Sequence, residues 1–439
     1  MYEYDVIVIG AGLAGATVAR ECATRGLRTV VLEGRDRIGG RAWTVELDDG
    51  TPIDIGGTYF SWNQPHLWSE LTRYGLVDEV VDAIHDPAEW AYAPGADGLI
   101  WETVDEHVER EMPVLERFFE QSWETFPKPY DSLLARDAVA RLDHMTVKDR
   151  LDELDFSPAE RAMITSLLIT LGGDSVEITS FVSMLKWWAA AGHSYALYYQ
   201  TLNQSKLKNG ILSLITPMLA DGGAELRLST TVTGVTTTAD GCEVKLANGV
   251  VVAGKVVVLA TPTGVWPHLE FSPPLEPERL KIAAEGLQTS RGSKSVAVIR
   301  GESRIFACTP EPGHPFSAIW TSHKRSEDEQ VVTMMNSSAL IDPEDPVEVE
   351  AAIKSLFPDA ELIELHSSKY DTDDEFTRGG WGLYHPGQLS AHSPHETLSR
   401  PEGRLVFATA DIAANWNSFL DGAIESGLRA ARDVRGILS

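Results

Sequence analysis

An apolar run, Val6-Ile7-Val8-Ile9, leads directly into Gly10-Ala11-Gly12-Leu13-Ala14-Gly15 and then a helical pattern to about Arg25. A continuous apolar run of this length suits a strand buried on both faces in a parallel sheet. Gly26 closes the helix and Arg28 to Leu32 reads as a second strand, which makes a βαβ unit. G-x-G-x-x-G between a strand and a helix is a dinucleotide-binding pattern. Gly10 permits the tight turn, Gly12 lets a pyrophosphate approach the backbone, and Gly15 lets helix and strand pack closely. The helix N-terminus then offers free N–H groups and a positive dipole end to the phosphates. Glu33 ends the second strand, 18 residues after Gly15. A carboxylate there accepts both ribose hydroxyls and repels a phosphate. The bland alternative for the glycines alone is a turn between a strand and a helix.

The rest of the chain reads as two interwoven units. Val104 to Glu124 suggests an acidic amphipathic helix interrupted at Met112-Pro113. Ser157-Pro158-Ala159-Glu160 is a capping box with proline at the first helical position, and Gly172-Gly173 ends that helix. A further helix is expected over 176–191, so the middle segment reads as mostly helical. A short helix precedes Asp221-Gly222-Gly223. Strands follow at 225–228, 231–236, 242–246 and 250–259, with Asn248-Gly249 as a hairpin turn. Strands at 295–299 and 331–335, a helix near 346–356, a strand at 405–408 and a helix from Asp421 to Val434 complete the reading. The fold class is α/β, with a Rossmann-like dinucleotide domain and an α+β substrate domain of mixed sheet and helices. The first domain takes residues 1–77, 206–285 and 396–439. The second takes a helical part, 78–205, and a sheet part, 286–395.

Exclusions come from composition. With 37 Lys and Arg against 65 Asp and Glu, the net charge is −28, which speaks against nucleic acid and anionic membranes as partners. Three dispersed cysteines, Cys22, Cys242 and Cys308, provide neither a disulfide framework nor a cysteine-based zinc motif. No run of about 18 apolar residues occurs, and the acidic first residues do not resemble a signal peptide. A cytoplasmic protein is expected. No HExxH, GxSxG or CxxC motif supports a hydrolytic or thiol route. Histidines such as His193 and His385 read as structural or surface residues rather than catalytic ones.

Further motifs select the dinucleotide. Arg37-Ile38-Gly39-Gly40-Arg41 and Ile53-Asp54-Ile55-Gly56-Gly57-Thr58-Tyr59 follow the second strand. Near the end come Ala408-Thr409-Ala410-Asp411, Trp416 and Phe419-Leu420-Asp421-Gly422-Ala423-Ile424-Glu425-Ser426-Gly427. In this order and nearly end to end, the sequence resembles the flavin-containing amine oxidase (monoamine oxidase) family, closest to the bacterial amine and hydroxynicotine oxidase branch. The resemblance implies FAD. Its binding set would be Gly10, Gly12, Leu13, Ala14, Gly15, Glu33, Gly34, Arg35, Gly39, Gly40, Arg41, Gly56, Gly57, Thr58, Tyr59, Val232, Ala260, Trp381, Asp411, Phe419, Leu420 and Ala423. Arg41 would hold the pyrophosphate, Val232 the adenine through its backbone, and Asp411 the ribityl or pyrophosphate end. Leu420 would lie at a helix N-terminus facing the flavin. Covalent members use a cysteine near Gly379-Gly380; Trp381 stands there and no cysteine follows Cys308, so FAD is expected to be non-covalent.

The resemblance also implies the reacting groups. Lys294 matches the family's strand lysine near flavin N5, where it would hold a water and favour reoxidation by oxygen. Read without the family, it is a solvated lysine at a strand start. Trp381 and Phe419 would flank the amine, although relatives often carry a tyrosine at the second position. Ile169, Trp187, Tyr198 and Trp320 are candidate pocket linings, with Trp188 and Tyr195 beside them; each alone also fits an ordinary core role. Thr58 to His66 contains no arginine of the kind that holds a carboxylate in amino-acid oxidases. The expected reaction is oxidation of a small amine, apolar or aromatic in body, to an imine. A hydride passes to the flavin, the imine hydrolyses, and O2 takes the electrons to give H2O2. A flavin dehydrogenase or desaturase with another acceptor, and a non-catalytic flavin-binding protein, remain as alternatives. A homodimer is compatible with the sequence.

The charge is local. Residues 78–155 hold 21 acidic and 7 basic side chains, and 326–375 hold 15 and 2. Both segments fall in the expected substrate domain. Solubility explains this, as does weak attraction of cationic amines.

Overall fold

The computed structural model describes residues 2–83, 89–92, 98–173, 175–203, 205–287, 292–337, 340–369, 374–392 and 394–439. The apolar run forms strand Tyr4–Ile9, buried throughout. It pairs in parallel with Thr29–Leu32 on one side and Val251–Leu259 on the other. Glu225–Arg227 and Leu405–Phe407 extend this parallel sheet at its two ends. The strand Val251–Leu259 is shared along its length. Its first half pairs antiparallel with Cys242–Leu246, and its last three residues pair with Leu405–Phe407. The hairpin at Asn248-Gly249 therefore builds a small antiparallel flap, with Val232–Thr237 beyond it, on the edge of the parallel core.

Close backbone approach explains two glycines here. Gly10 adopts φ +105°, a conformation that costs other residues steric strain. A Cβ on Gly15 would stand 2.0 Å from the Gly10 carbonyl oxygen. The helix Leu13–Ala23 packs against Leu420–Leu438, so the two ends of the chain share one layer.

A second sheet has seven strands in the order 361–368, 292–300, 329–337, 316–324, 306–309, 89–92, 100–103. Its pairings are antiparallel except 306–309 with 89–92. The segment read as mostly helical thus contributes the last two strands at one side of this sheet, Glu89–Tyr92 and the edge strand Ile100–Thr103. Each is four residues long and flanked by the acidic stretch, too short for a clear two-residue alternation.

Two helix boundaries differ from expectation. Val104–Phe118 runs through Pro113. A proline removes one helical N–H, but the capping box at Thr103 and Glu106 secures the start and Val114, Leu115 and Phe118 bury their side chains. The helix expected over 176–191 starts at Phe181 because Ser180 caps it by accepting from the Ser183 N–H. The capping box at Ser157 and Glu160 is present, and Gly173 ends that helix at φ +64°. No helix among the described residues is long and apolar enough to cross a membrane.

Candidate active site

A cavity of roughly 570 Å3 lies between the two sheets and the helical layer. One end is built from backbone. Gly10, Gly12, Leu13, Ala14, Gly39, Gly40, Gly56 and Gly57 line it. The Gly39 N–H donates to the Ala11 carbonyl (2.9 Å) and the Gly57 N–H to that of Arg41 (2.9 Å), which ties the three glycine segments together. Glu33 is buried, and its two oxygens accept from the N–H groups of Ala11 (2.7 Å) and Arg35 (2.9 Å). The side chain of Arg35 turns away to Asp374. Val232, Ala260, Gly34 and Glu33 continue the same wall.

Two helix N-termini reach this cavity. Neither Gly12 nor Phe419, their N-cap residues, supplies a side-chain cap, so first-turn N–H groups stay available to an anion or a carbonyl. A Cβ on Gly12 would meet only the Gly39 oxygen, at 3.7 Å. Its own φ of −74° is ordinary. The protein therefore leaves open space at a glycine that backbone geometry does not demand. That cradle, the uncapped N-terminus after Gly12 and the Glu33 carboxylate suit the pyrophosphate and ribose of FAD.

The other end is built from side chains. Lys294, on strand Gly292–Arg300, is buried and donates to the Gly56 carbonyl (2.6 Å) and to the Thr58 hydroxyl. Its ammonium sits 5.1 Å from the centre of the Tyr59 ring. Burial drives its pKa from 10.5 down to about 7, against the pull of Asp54 and with Lys206 adding to the fall. Burial likewise raises Asp54, which accepts from the Ile211 N–H and the Thr44 hydroxyl. Trp381 is anchored by its indole N–H to the Leu171 carbonyl at 2.8 Å. Phe419 meets Trp187 edge to face, 5.2 Å between centres, and Trp416 likewise at 5.4 Å. Lys294, Tyr59, Trp381, Phe419, Trp187, Tyr198 and Trp320 all line the cavity. The indole nitrogens of Trp187 and Trp320 and the Tyr198 hydroxyl are buried without a hydrogen-bond partner in the structure.

Four expected contacts lie elsewhere. Ile169 does not line the cavity; Leu167, Thr170 and Leu171 do. Helix 158–172 turns about 100° per residue, so the face carrying 167, 170 and 171 directs 169 into the surrounding core. Asp411 is also absent from the wall. It lies behind Arg41, paired with its guanidinium at 2.7 Å, and accepts from the Thr263 N–H at 2.9 Å. Gly15 packs on Gly10 and Ala260 rather than facing the space. Trp188 is stacked on Phe119 in the core. The remaining residues of the expected cofactor set line the cavity.

Glu111 was missed. It lines the cavity, is buried, and accepts from the Tyr195 hydroxyl at 2.7 Å. A signal existed: Glu111 falls on the buried stripe of its helix with His107, Val114, Leu115 and Phe118, and a carboxylate on an apolar stripe calls for a partner. Among the described residues no group of three or more His, Cys, Asp or Glu could hold a metal.

The profile of a family described as flavin containing amine oxidoreductase matches residues 13–435. Nicotine dehydrogenase of Pseudomonas putida is 34% identical over 443 residues, covering 100% of this chain and 89% of the relative. The (S)-6-hydroxynicotine oxidase of Paenarthrobacter nicotinovorans is 26% identical over 436 residues, covering 96% and 97%. Cyclohexylamine oxidase from Brevibacterium oxydans has a similar fold, with a TM-score of 0.81 at 21% identity over 99% of both chains.

Proposed function

Since the chain belongs to the flavin-containing amine oxidoreductase family and is an FAD enzyme acting on amines, we propose that its substrate is a small amine with an apolar or aromatic body. The product would be the imine, which hydrolyses in water, and O2 would be the acceptor. The observation that carries this reading is the continuity of one cavity. It joins the uncapped N-terminus of helix Leu13–Ala23 at one end to Lys294, Trp381, Trp187 and Phe419, the N-cap of the second helix, at the other.

Bound FAD supplies the acceptor for a hydride from the amine α-carbon and passes the electrons on, giving H2O2 when O2 receives them. The residues divide the remaining work. Backbone N–H groups at Gly12 to Ala14 and Glu33 hold the cofactor's phosphate and ribose. Asp411 keeps Arg41 oriented, and is a positioning residue. Trp381 and Phe419 present ring faces that orient the nitrogen and exclude water. Lys294, with its pKa near 7, changes charge at neutral pH inside a buried wall; when protonated it stabilises negative charge developing as oxygen is reduced.

An anaerobic panel of amines tests the proposal. A substrate should bleach the yellow holoenzyme, and air should restore the colour with one peroxide per turnover. No bleaching by any amine would leave a non-catalytic flavoprotein. A relative named as a dehydrogenase supports a second reading of the acceptor: bleaching followed by slow recovery in air would place O2 aside in favour of another oxidant.

A further inference from the structure

We propose that Glu111 and the rings around it form an ammonium subsite, so that the preferred amine carries a second protonated nitrogen away from the one oxidised. The proposal rests on the cavity being the amine site.

A buried carboxylate is expensive unless charged or hydrogen-bonding partners meet it. Glu111 has one neutral donor, the Tyr195 hydroxyl at 2.7 Å. Its other oxygen stands 3.5 Å from His107 Nε2, and that nitrogen makes no hydrogen bond in the structure. No arginine or lysine pairs with Glu111 among the described residues. The local guanidinium is already engaged: Arg110 pairs with Glu102 at 2.5 Å, and His107 Nδ1 contacts the same carboxylate at 2.8 Å. The helix thus neutralises Glu102, while Glu111 has no arginine or lysine beside it among the described residues and only the His107 imidazole, at 3.5 Å, as a group that can carry positive charge.

The walls suit a cation. Trp90, Tyr195, Tyr198, Tyr199 and Trp320 line the same space. Tyr195 stacks on Tyr199 at 6.2 Å, and Trp90 lies 6.3 Å from Tyr199. Aromatic faces around a carboxylate attract an ammonium by charge and by ring quadrupole. The unpartnered Tyr198 hydroxyl and Trp320 indole nitrogen add buried polar atoms that a ligand can engage. If Glu111 served only to hold Tyr195, a neutral acceptor would do so with less desolvation.

The test uses α,ω-diaminoalkanes, the n-alkylamines of equal length and the matching amino alcohols. Binding is measured calorimetrically to holoenzyme photoreduced under nitrogen, in which no amine can be oxidised. The kcat/KM ratio of diamine to alkylamine is measured separately in air. The diamine should bind about tenfold or more tighter than the alkylamine and the amino alcohol. Glu111→Gln keeps an acceptor for Tyr195 but removes the charge, and should erase that preference in both ratios. Equal binding of diamine and amino alcohol by the wild type would overturn the subsite, as would a preference that survives Glu111→Gln. The wild-type comparison decides even if the variant folds poorly. Selective diamine binding without any amine oxidation would support the subsite and overturn the proposed reaction instead.

Discussion

Lys294→Met removes the buried ammonium, and its effect on stability can be worked out. In the folded protein the amine is neutral above about pH 7, whereas an exposed lysine keeps its proton to 10.5. Within that window unfolding takes up a proton, so stability rises with pH by about 1.4 kcal/mol per pH unit. From pH 7, where the folded amine is half protonated, to pH 9 the lysine's contribution therefore improves by about 2 kcal/mol. Below pH 7 both states hold the proton and the contribution is flat at its least favourable. The methionine variant lacks this dependence. Relative to it, wild type should gain about 2 kcal/mol between pH 7 and pH 9. The side chain is only 6% exposed, so solvent screening takes little from the figure. Urea unfolding of both holoproteins at the two pH values, followed by tryptophan fluorescence with FAD in equal excess, measures the difference. A difference between the two proteins that stays constant within about 1 kcal/mol would refute the claim that Lys294 is buried and readily neutral. In stopped flow, the same substitution should slow reoxidation by air more than reduction by amine; an unchanged oxygen rate would remove Lys294 from that step.

Two further substitutions test the walls. Gly292→Ala would place a Cβ 2.5 Å from Trp381 Cη2 and 2.8 Å from Gly173 Cα; we expect a loss of about 1–3 kcal/mol and a shifted flavin spectrum, and an unchanged spectrum would show that Trp381 does not adjoin the cofactor. Asp411→Asn leaves Arg41 without its countercharge, so the protein should melt at lower temperature and release FAD more readily on dilution, whereas wild-type FAD retention would remove Asp411 from the positioning role.

Legibility followed interaction range. Strand Tyr4–Ile9, the Gly10 turn and the helix after it involve neighbours in sequence, where dihedral preference and apolar runs act directly. The capping box at Ser157 is likewise local, and both ends of that helix were readable. Its rotational phase was not. Residues 163–171 are apolar on most sides, so no narrow stripe indicates which face meets the cavity, and Ile169 falls outside its lining. Glu111 sat on a readable stripe, but the stripe does not say whether its partner is a protein cation or a ligand.

Asp411 marks the same boundary. Its motif identified it as part of the cofactor segment, yet its side chain turns to Arg41, 370 positions away in the chain. Local sequence sets backbone conformation and which faces become buried, because those depend on sterics and solvation near each residue. The depressed lysine, the buried Glu111 carboxylate beside Tyr195 and the ring-lined space between two sheets arise from groups that meet after the layers close. Their properties depend on desolvation and distance across the fold, and neither quantity exists until the chain has packed.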